Sequence, residues 1–259
     1  MTRREVIHTE GLASAHLAFT DVSTGDLRVD PSSSPSVAGR AGSTELDSRR
    51  HRVAPHPWTW LRQVHGGRVV EVDAPGEWAG SEADAAVTTT IGAVLAVHTA
   101  DCAGVVLVGD GTDPVTGDPT RVVGVAHAGW RGLLEGVLES TVAHMRRLGA
   151  TEFRWDVGPC ISPAAYEFGP VELDALADRL GNEVRATTLE GAAALDLRAG
   201  VRASLAQAGV DTGPGTGPEV VPCTALDDGF YSWRARHDNG RQAAVVWLAP
   251  DDHDYPWHA

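Results

Sequence analysis

Three short segments of the sequence each carry one side chain that could bind a metal ion. The side chains are two imidazoles and one thiol, and they belong to His65, Cys102 and His127. A structural zinc ion is normally closed by four protein ligands, whereas a catalytic zinc ion usually keeps one position open for water or substrate. Two imidazoles and one thiolate make a plausible open zinc site. The three residues therefore predict an enzyme in which they are both the metal ligands and the catalytic centre.

The same three residues also fit chemistry that needs no metal. A Cys102 thiolate held by His127 could attack an amide carbonyl, which would make the protein an amidase or deamidase. Each residue also has a structural interpretation by itself, since many free cysteines are small buried hydrophobes. A histidine at the end of a strand, such as His65, can simply pair with a backbone carbonyl. The residue types leave the zinc enzyme and the cysteine amidase both open.

The other histidines narrow the choice of metal chemistry. Multicopper centres need many histidines, commonly in HxH pairs, and this chain has 11 histidines and no HxH pair. Copper could occupy the three ligands in vitro, but four-electron reduction of oxygen needs a metal cluster. His98 lies four residues before Cys102 in a strand-like run, on the same face but roughly 13 Å away at the usual strand rise. We therefore expect neither laccase chemistry as the main activity nor His98 as a fourth ligand.

Composition limits the partners of the 259-residue chain. Its formal net charge of −14 makes a nucleic-acid backbone an unsuitable partner, because that affinity depends on a basic surface. No stretch reaches the roughly 18 uninterrupted apolar residues of a membrane span, and the start lacks the apolar run of a signal peptide. Three cysteines without a CxxC pair indicate a reducing compartment. These features predict a cytoplasmic protein, with a monomer favoured, that acts on a small molecule.

All 21 basic residues are arginine. The absence of lysine excludes Schiff-base chemistry, pyridoxal phosphate attachment, Walker A loops and lysine general bases. Arginine is suited to planar, bidentate contacts with phosphate or carboxylate. Arg131 follows a strand and a glycine at the start of a helical pattern, where the free backbone N–H groups of a first helical turn would attract an anion. The sequence therefore predicts an anion site beside His127.

The elements that must position these residues are mostly readable from apolar periodicity. Strand-like runs cover residues 68–72, 83–87, 93–98, 105–108, 122–127, 155–158 and 240–248. Helical spacing predicts helices from Leu133 to Gly149, over 171–180 and over 194–208. Residues 25–48 are rich in Ser, Gly and Pro and predict an exposed, flexible loop. Strands and helices without regular βαβ repetition predict an α/β (α+β) sandwich, in which helices flank at least one mixed sheet and a single domain spans residues 1–259.

Ten short motifs in order give this chain a family resemblance over roughly 190 residues. They are Gln63-Val64-His65-Gly66, Ala83-Asp84-Ala85, Thr99-Ala100-Asp101-Cys102, Ala126-His127-Ala128-Gly129-Trp130-Arg131-Gly132, Gly158-Pro159-Cys160-Ile161, Tyr166-Glu167-Phe168-Gly169, Leu195-Asp196-Leu197, Cys223-Thr224, Phe230-Tyr231-Ser232-Trp233-Arg234 and Gly240-Arg241-Gln242-Ala243. The chain resembles the laccase-domain, or YfiH-like, polyphenol oxidoreductase family, which includes purine nucleoside phosphorylases. Two departures stand out: the family's Gly-Gly-Val-Ser and Ser-Leu-Asn-Leu-Gly stretches are absent near the N-terminus, and Gly104 stands where a proline is usual.

The resemblance implies a YfiH-like fold and a zinc ion on His65, Cys102 and His127. It implies phosphorolysis of adenosine, inosine, guanosine and methylthioadenosine, with adenosine deaminase activity beside it. Deamination would use metal-activated water, since a bound metal lowers the pKa of water. The H-x-E and P-C-x-x-C motifs of the dedicated zinc deaminases are missing. The older family name implies phenol oxidation with copper.

Phosphorolysis requires cationic groups that hold phosphate and a wall that holds the purine. Arg131 is the first candidate for phosphate, and Arg234 and Arg241 could converge on the same pocket. Surface salt bridges would explain Arg234 and Arg241 equally well, and Arg131 less well. Asp101 could orient a zinc-bound histidine or protonate the base. Three aromatic residues could stack on a purine: Trp130, Phe230 and Tyr231.

The sequence thus predicts a zinc-dependent enzyme of purine nucleosides and phosphate. The alternative is a Cys–His amidase that edits a cell-wall peptide precursor, as some relatives of the family are thought to do. A copper-dependent phenol oxidase ranks third among enzymes. A zinc-binding module without catalysis is disfavoured by the open fourth coordination position.

Overall fold

The computed structural model describes residues 2–29 and 44–250 of the chain. Numbered in chain order, the strands are β1 (Arg3–Ile7), β2 (Ser14–Phe19), β3 (Trp58–Trp60), β4 (Val69–Glu71), β5 (Ala85–Thr88), β6 (Val94–Thr99), β7 (Ala103–Thr112), β8 (Pro119–Ala128), β9 (Ala150–Val157), β10 (Arg185–Thr187), β11 (Ala193–Leu195) and β12 (Gln242–Ala249). The helices are α1 (Glu45–Val53), α2 (Trp130–Leu134), α3 (Val137–Arg147), α4 (Pro170–Leu180), α5 (Leu197–Gln207) and α6 (Trp233–Arg236).

Two five-stranded sheets form the body of the fold. The first has the strand order β1-β2-β12-β6-β3, and the second has the order β4-β5-β8-β7-β9. Most neighbours are antiparallel, but β3 pairs with β6 in parallel and so does β4 with β5. Both sheets are therefore mixed, and strands β10 and β11 add a small separate hairpin. The predicted α/β sandwich with mixed sheets is confirmed.

The sheets pack face to face, and both faces of each sheet are buried. In β6, Leu95 and Val97 point to the core between the sheets, together with Val123 and Val125 of β8. Val94 and Ala96, which alternate with these residues along β6, pack on the outer face of the first sheet. A strand buried on both faces has no polar alternation. This is why the predicted strands are continuous apolar runs in the sequence.

Helices cover the two outer faces. Val53 at the end of α1 packs with Trp58 and Trp247 on the outer face of the first sheet. Helices α3, α4 and α5 pack on the outer face of the second sheet through a larger apolar cluster that includes Leu138 and Leu176. The order of layers is helix, sheet, sheet, helices.

Several sequence predictions about elements need correction. The strands predicted over 105–108 and 155–158 are the longer strands β7 and β9. The predicted helix over 133–149 is two helices, because it starts at Trp130 and breaks at Gly136, whose φ of 74° is left-handed. The predicted helix over 194–208 starts only at Leu197, after the Asp196 carboxylate caps it by accepting from the N–H groups of Arg198 and Ala199.

The predicted loop over residues 25–48 is too long at its end. Thr44 and Asp47 form a reciprocal capping box, so α1 begins at Glu45 inside the predicted loop. Residues 30–43 of that prediction lie outside the described residues. The flexibility predicted for the loop therefore stays a prediction.

The chain crosses between the two sheets at two places that matter for the site. It passes from β3 to β4 through His65, and from β6 to β7 through Cys102. At the second crossing Gly104 lies under the first sheet, where a Cβ atom would come within 2.6 Å of the Ala244 Cβ. The Ala244 methyl group thus fills the space beside Gly104. Gly104 is the residue noted above as standing where a proline is usual.

Candidate metal centre and substrate cleft

The three predicted metal ligands meet at one point. His65 lies in the crossing after β3, Cys102 lies in the crossing before β7, and His127 is the last residue but one of β8. Their ligand atoms all lie within 4.8 Å of one another. The Cys102 Sγ is 3.9 Å from His65 Nε2, and the two imidazole centroids are 4.7 Å apart. Within residues 2–29 and 44–250 this is the single cluster of three or more such ligands.

Asp84 holds two of the three ligands in place. Its fully buried carboxylate accepts hydrogen bonds from the backbone N–H groups of Val64, His65 and Gly66, at 3.1, 2.9 and 2.8 Å. These bonds stabilise the left-handed φ of 62° at His65. The same carboxylate lies 2.9 Å from His127 Nδ1, so the Nε2 atom of that ring is left for the cluster.

The lowered pKa of Asp84 keeps its carboxylate charged, as this role requires. Burial opposes its ionisation, but the hydrogen bonds from His127 and from the backbone of Gly66 and Val64 prevail and lower the pKa of Asp84. Asp84 is the functional residue that sequence analysis missed. The available signal was an acidic residue between two alanines in a buried run, the Ala83-Asp84-Ala85 motif.

Asp101 does not orient a metal-bound histidine, which is one of the two roles predicted for it. It accepts from the hydroxyl groups of Thr224 and Ser232, each at 2.7 Å, and from the backbone N–H of Arg234 at 2.6 Å. Its φ of 105° is strained for a non-glycine residue. Asp101 therefore ties the Cys102 turn to the C-terminal part of the chain. The prediction that it orients a metal-bound histidine is wrong, since Asp84 occupies that position.

Electrostatics favour a charged pair within the cluster. Burial opposes ionisation of Cys102, but the His127 charge and hydrogen bonds from His127 and His65 prevail and lower the pKa of the thiol to about 6. Burial likewise opposes protonation of His127, but the Cys102 charge and the hydrogen bond to Asp84 raise its pKa to about 9. A thiolate is the form of cysteine that binds metals and attacks carbonyls.

A cleft of about 730 Å³ opens above the cluster, within the usual size range of small-molecule sites. His65, Cys102 and His127 lie in its wall. The predicted arginines Arg131, Arg234 and Arg241 line this same cleft, as expected from their proposed convergence. Their role in binding stays a prediction.

The surroundings of the three arginines differ. The Arg131 guanidinium stacks 4.3 Å from the centroid of the Trp130 ring, and that of Arg234 lies 5.1 Å from the ring of Tyr166. Arg241 donates from Nη1 to the carbonyls of residues 238, 239 and 240 at 2.8–3.1 Å. The helix after Gly129 is only five residues long. A helix this short gives little support to the anion site predicted from the free N–H groups at its start.

Only one of the three aromatic residues predicted to stack on a purine lies in the cleft wall. Trp130 lines the cleft, whereas Phe230 and Tyr231 do not. The Tyr231 ring packs against Gly240, and its backbone N–H donates to the side chain of Gln242 at 2.8 Å. Three other aromatic residues line the cleft in their place: Trp60, Tyr166 and Trp233.

The fold and the three-ligand cluster can now be compared with those of known protein families. Residues 43–249 match the family described as "Multi-copper polyphenol oxidoreductase laccase". The chain belongs to this laccase-domain family.

Relatives of the chain over most of its length are named purine nucleoside phosphorylases. A protein named purine nucleoside phosphorylase from Streptomyces coelicolor is 36% identical over 245 residues, which are 90% of this chain and 96% of the relative. One of the same name from Deinococcus radiodurans is 41% identical over 192 residues, 73% of this chain and 69% of the relative.

Solved structures agree with the fold. The crystal structure of the hypothetical protein YfiH from Bacillus licheniformis matches with a TM-score of 0.69 at 25% identity, over 90% of this chain and 92% of that one. YlmD from Geobacillus stearothermophilus matches with a TM-score of 0.67 at 27% identity, over 92% of each chain. Among the described residues, no helix has the length and apolar character needed to cross a membrane.

Proposed function

We propose that the chain is a zinc-dependent purine nucleoside phosphorylase. The observation that carries the proposal is the open three-ligand cluster of His65, Cys102 and His127 in the wall of a cleft large enough for a nucleoside and phosphate. The names of the relatives support the reaction. The proposed substrates are adenosine, inosine, guanosine and methylthioadenosine, with deamination of adenosine as a side activity.

The residues present fit a zinc ion. Zinc prefers a tetrahedral set of imidazole and thiolate ligands at about 2.0–2.3 Å, and two imidazoles and a low-pKa thiol lie within 4.8 Å of one another here. Asp84 completes the usual arrangement in which a carboxylate orients a ligating histidine. A zinc ion bound there would supply a Lewis acid beside the substrate.

The chain's own residues would position the reactants. Trp60, Trp130, Tyr166 and Trp233 provide flat apolar surfaces along the cleft on which a purine and a ribose could lie. The guanidinium groups of the cleft wall would hold phosphate through charge-assisted hydrogen bonds. Fixing the nucleoside and phosphate next to each other removes most of the entropic cost of bringing them together.

A cysteine amidase is the second candidate, and one observation favours it. A thiolate at Cys102, an imidazole at His127 and a carboxylate at Asp84 form the nucleophile, base and orienting group of a cysteine hydrolase. The copper oxidase ranks below both, because four-electron oxygen reduction needs several metal ions. The described residues contain a single three-ligand cluster.

The deciding experiment measures release of adenine and ribose 1-phosphate from adenosine by zinc-loaded protein, with and without phosphate. We expect product that requires phosphate in the wild type and disappears in Cys102→Ala. Cys223→Ala is the matched control, since Cys223 is also a half-buried free thiol but lies outside the cluster and the cleft wall.

Folded, zinc-loaded protein that releases no base from adenosine, inosine or methylthioadenosine would refute the phosphorylase. Hydrolysis of an amide substrate that is lost in Cys102→Ala would then establish the amidase.

A further inference from the structure

Arg50 in the last turn of α1 is a half-buried cation that forms no ion pair within the described residues, although the charge of Asp47 on the same helix acts on it. Its Nε and Nη2 atoms are buried and have no hydrogen-bond partner. Its guanidinium carbon lies 5.6 and 5.7 Å from the ring centroids of Trp58 and Trp60. Burial lowers its pKa to about 10, so it remains charged at neutral pH. Buried donors without a hydrogen-bond partner are costly, and therefore this position requires an explanation.

His98 lies beside Arg50 and has a buried, unpartnered nitrogen of its own. The backbone of His98 is held by the Gln63 side chain in two hydrogen bonds of 2.7 and 2.8 Å. Its ring lines the cleft, and its Nε2 atom is buried without a hydrogen-bond partner. Burial and the charges of Arg50 and Arg241 lower the pKa of His98 to about 3. The ring is therefore neutral and can donate one N–H.

Arg241 and Arg28 add positive charge at the same end of the cleft, which both residues line. Only the Nη1 atom of Arg241 is used by the carbonyls of residues 238–240, so the rest of its guanidinium remains for a ligand. The nearby carboxylates are Asp26, Asp101 and Asp238, whose charges interact with that of Arg241. Asp26 accepts from the Arg241 backbone N–H at 2.9 Å and lies 3.8 Å from Arg28. Among the described residues, no carboxylate pairs with the side chains of Arg50 or Arg241.

We propose that the end of the cleft lined by His98, Arg241 and Arg28 binds a phosphate oxyanion. The imidazole N–H of His98 and the free edge of Arg241 donate to the oxygens, and Arg50 lies outside the cleft wall as a positioning residue whose charge acts on His98. A tetrahedral phosphate suits donors that converge from several directions better than a planar carboxylate does. Arg131 and Arg234, which stack on aromatic rings, then contact the nucleoside.

The location is next to the metal centre. His98 and Arg241 line the same cleft as the metal ligands Cys102 and His127. Phosphate bound here would lie beside the reacting part of a nucleoside in the cleft. The inference deepens the proposed phosphorylase by identifying the subsite of its anionic substrate, and it rests on that function only for the catalytic part of its test.

The first test measures binding of inorganic phosphate to zinc-loaded protein by calorimetry, with sodium chloride at matched ionic strength as the salt control. We expect His98→Asn and Arg241→Gln to weaken phosphate binding about tenfold or more, the usual value of a hydrogen bond to a charged group. Arg50→Gln should weaken phosphate binding less, because it removes only a positive charge behind the donors. Arg50→Lys keeps the charge and should recover part of the affinity. Arg52→Gln, an exposed arginine on the same helix, is the matched control and should bind like the wild type.

Loss of phosphate binding in Arg131→Gln, with normal binding in Arg50→Gln, would overturn the inference. So would the absence of phosphate binding by the wild type. Circular dichroism and zinc content of each variant separate loss of the subsite from loss of the fold. AMP added to the phosphate titration distinguishes the source of the oxyanion, since competition from AMP at the same residues would indicate a nucleotide phosphate.

The second test uses catalysis. Arg50→Gln should raise KM for phosphate, because a positive charge behind the donors is lost, while KM for adenosine changes little. A merely structural Arg50 would alter both KM values or the folded fraction instead. Phosphate that binds through Arg50 in a protein without phosphorylase activity would refute the proposed function and leave the subsite intact.

Discussion

At the scale of single residues, Asp84 links the geometry of the centre to its metal. Asp84→Asn keeps the size of the side chain but removes the charge and turns one of its two acceptor oxygens into a donor. We expect zinc affinity to fall about 10- to 100-fold, the usual effect of losing a group that orients a metal ligand. Competition with a chromophoric chelator measures the change.

The control for this substitution is Asp73→Asn, an exposed aspartate outside the cleft wall. It should bind zinc like the wild type. Equal zinc affinity in Asp84→Asn and the wild type would show that the His65 turn and the His127 ring keep their positions without the carboxylate.

The Cys102 thiol gives a pH-dependent prediction. Its pKa is lowered to about 6, so the reactive thiolate forms as the pH rises through 6, well below the 8.5 of an unperturbed cysteine. The rate of alkylation by iodoacetamide in metal-free protein should therefore have its midpoint near pH 6, and added zinc should suppress it. Mass spectrometry of the labelled peptide measures the rate.

Cys160 serves as the internal control, because burial raises the pKa of its thiol to about 11 and should leave it unlabelled. A midpoint for Cys102 above pH 8 would contradict the charged pair with His127.

The residue types reveal the ligands but not the groups that hold them. His65, Cys102 and His127 could be predicted because each is a metal-binding type in a motif of small residues. Asp84 could not be given its role, because its contacts join the His65 turn to β8 through the pairing of β5 with β8. Orientation of a zinc-bound histidine is one of two roles that the sequence leaves open for Asp101, yet its carboxylate accepts from Thr224 and Ser232.

At the scale of elements, the second crossing between the sheets depends on the close approach of β7 and β12. Gly104→Ala would place a methyl group 2.6 Å from the Ala244 Cβ, and overpacking of this kind typically costs about 1–3 kcal/mol. We expect a lower free energy of unfolding in urea. Because Gly104 lies two residues from Cys102, weaker zinc binding should accompany it.

A compensating variant makes this prediction specific. Gly104→Ala combined with Ala244→Gly removes the opposing methyl group and should recover much of the stability, a coupling expected only between residues in contact. If the double variant is as unstable as the sum of the two single ones, the contact is not the cause.

Elements with a strong apolar pattern could be predicted, but only some of their ends could. Strand β6 and helix α4 are within a residue or so of the predicted bounds, because their apolar positions alone define them. The break at Gly136 was missed because the apolar spacing continues across it. The start of α5 was missed because the apolar residues of β11 directly precede Asp196, the N-cap of α5, and extend the helical spacing towards the N-terminus.

At the scale of the whole molecule, the metal ligands lie outside the three apolar clusters that hold the layers together. The fold should therefore survive removal of zinc. We expect chelation to leave the far-UV circular dichroism unchanged but to lower Tm, because ligand binding stabilises the native state by about 2.7 kcal/mol when free zinc is 100 times its Kd. Calorimetry with chelator, followed by return of zinc, measures this.

Binding of zinc should restore Tm fully in the wild type and not in Cys102→Ala. An unfolded spectrum after chelation would show that the two sheets depend on the metal for their packing.

The shared carboxylate of Asp84 has a consequence for how this site can change in evolution. One acidic group holds both the turn that presents His65 and the ring of His127, so substitutions at the two histidines are not independent. The effect of changing one depends on whether the other still needs its support, which is epistasis with a known physical origin. A descendant of this fold that abandons the metal should therefore lose the histidines, the cysteine and the aspartate as a group.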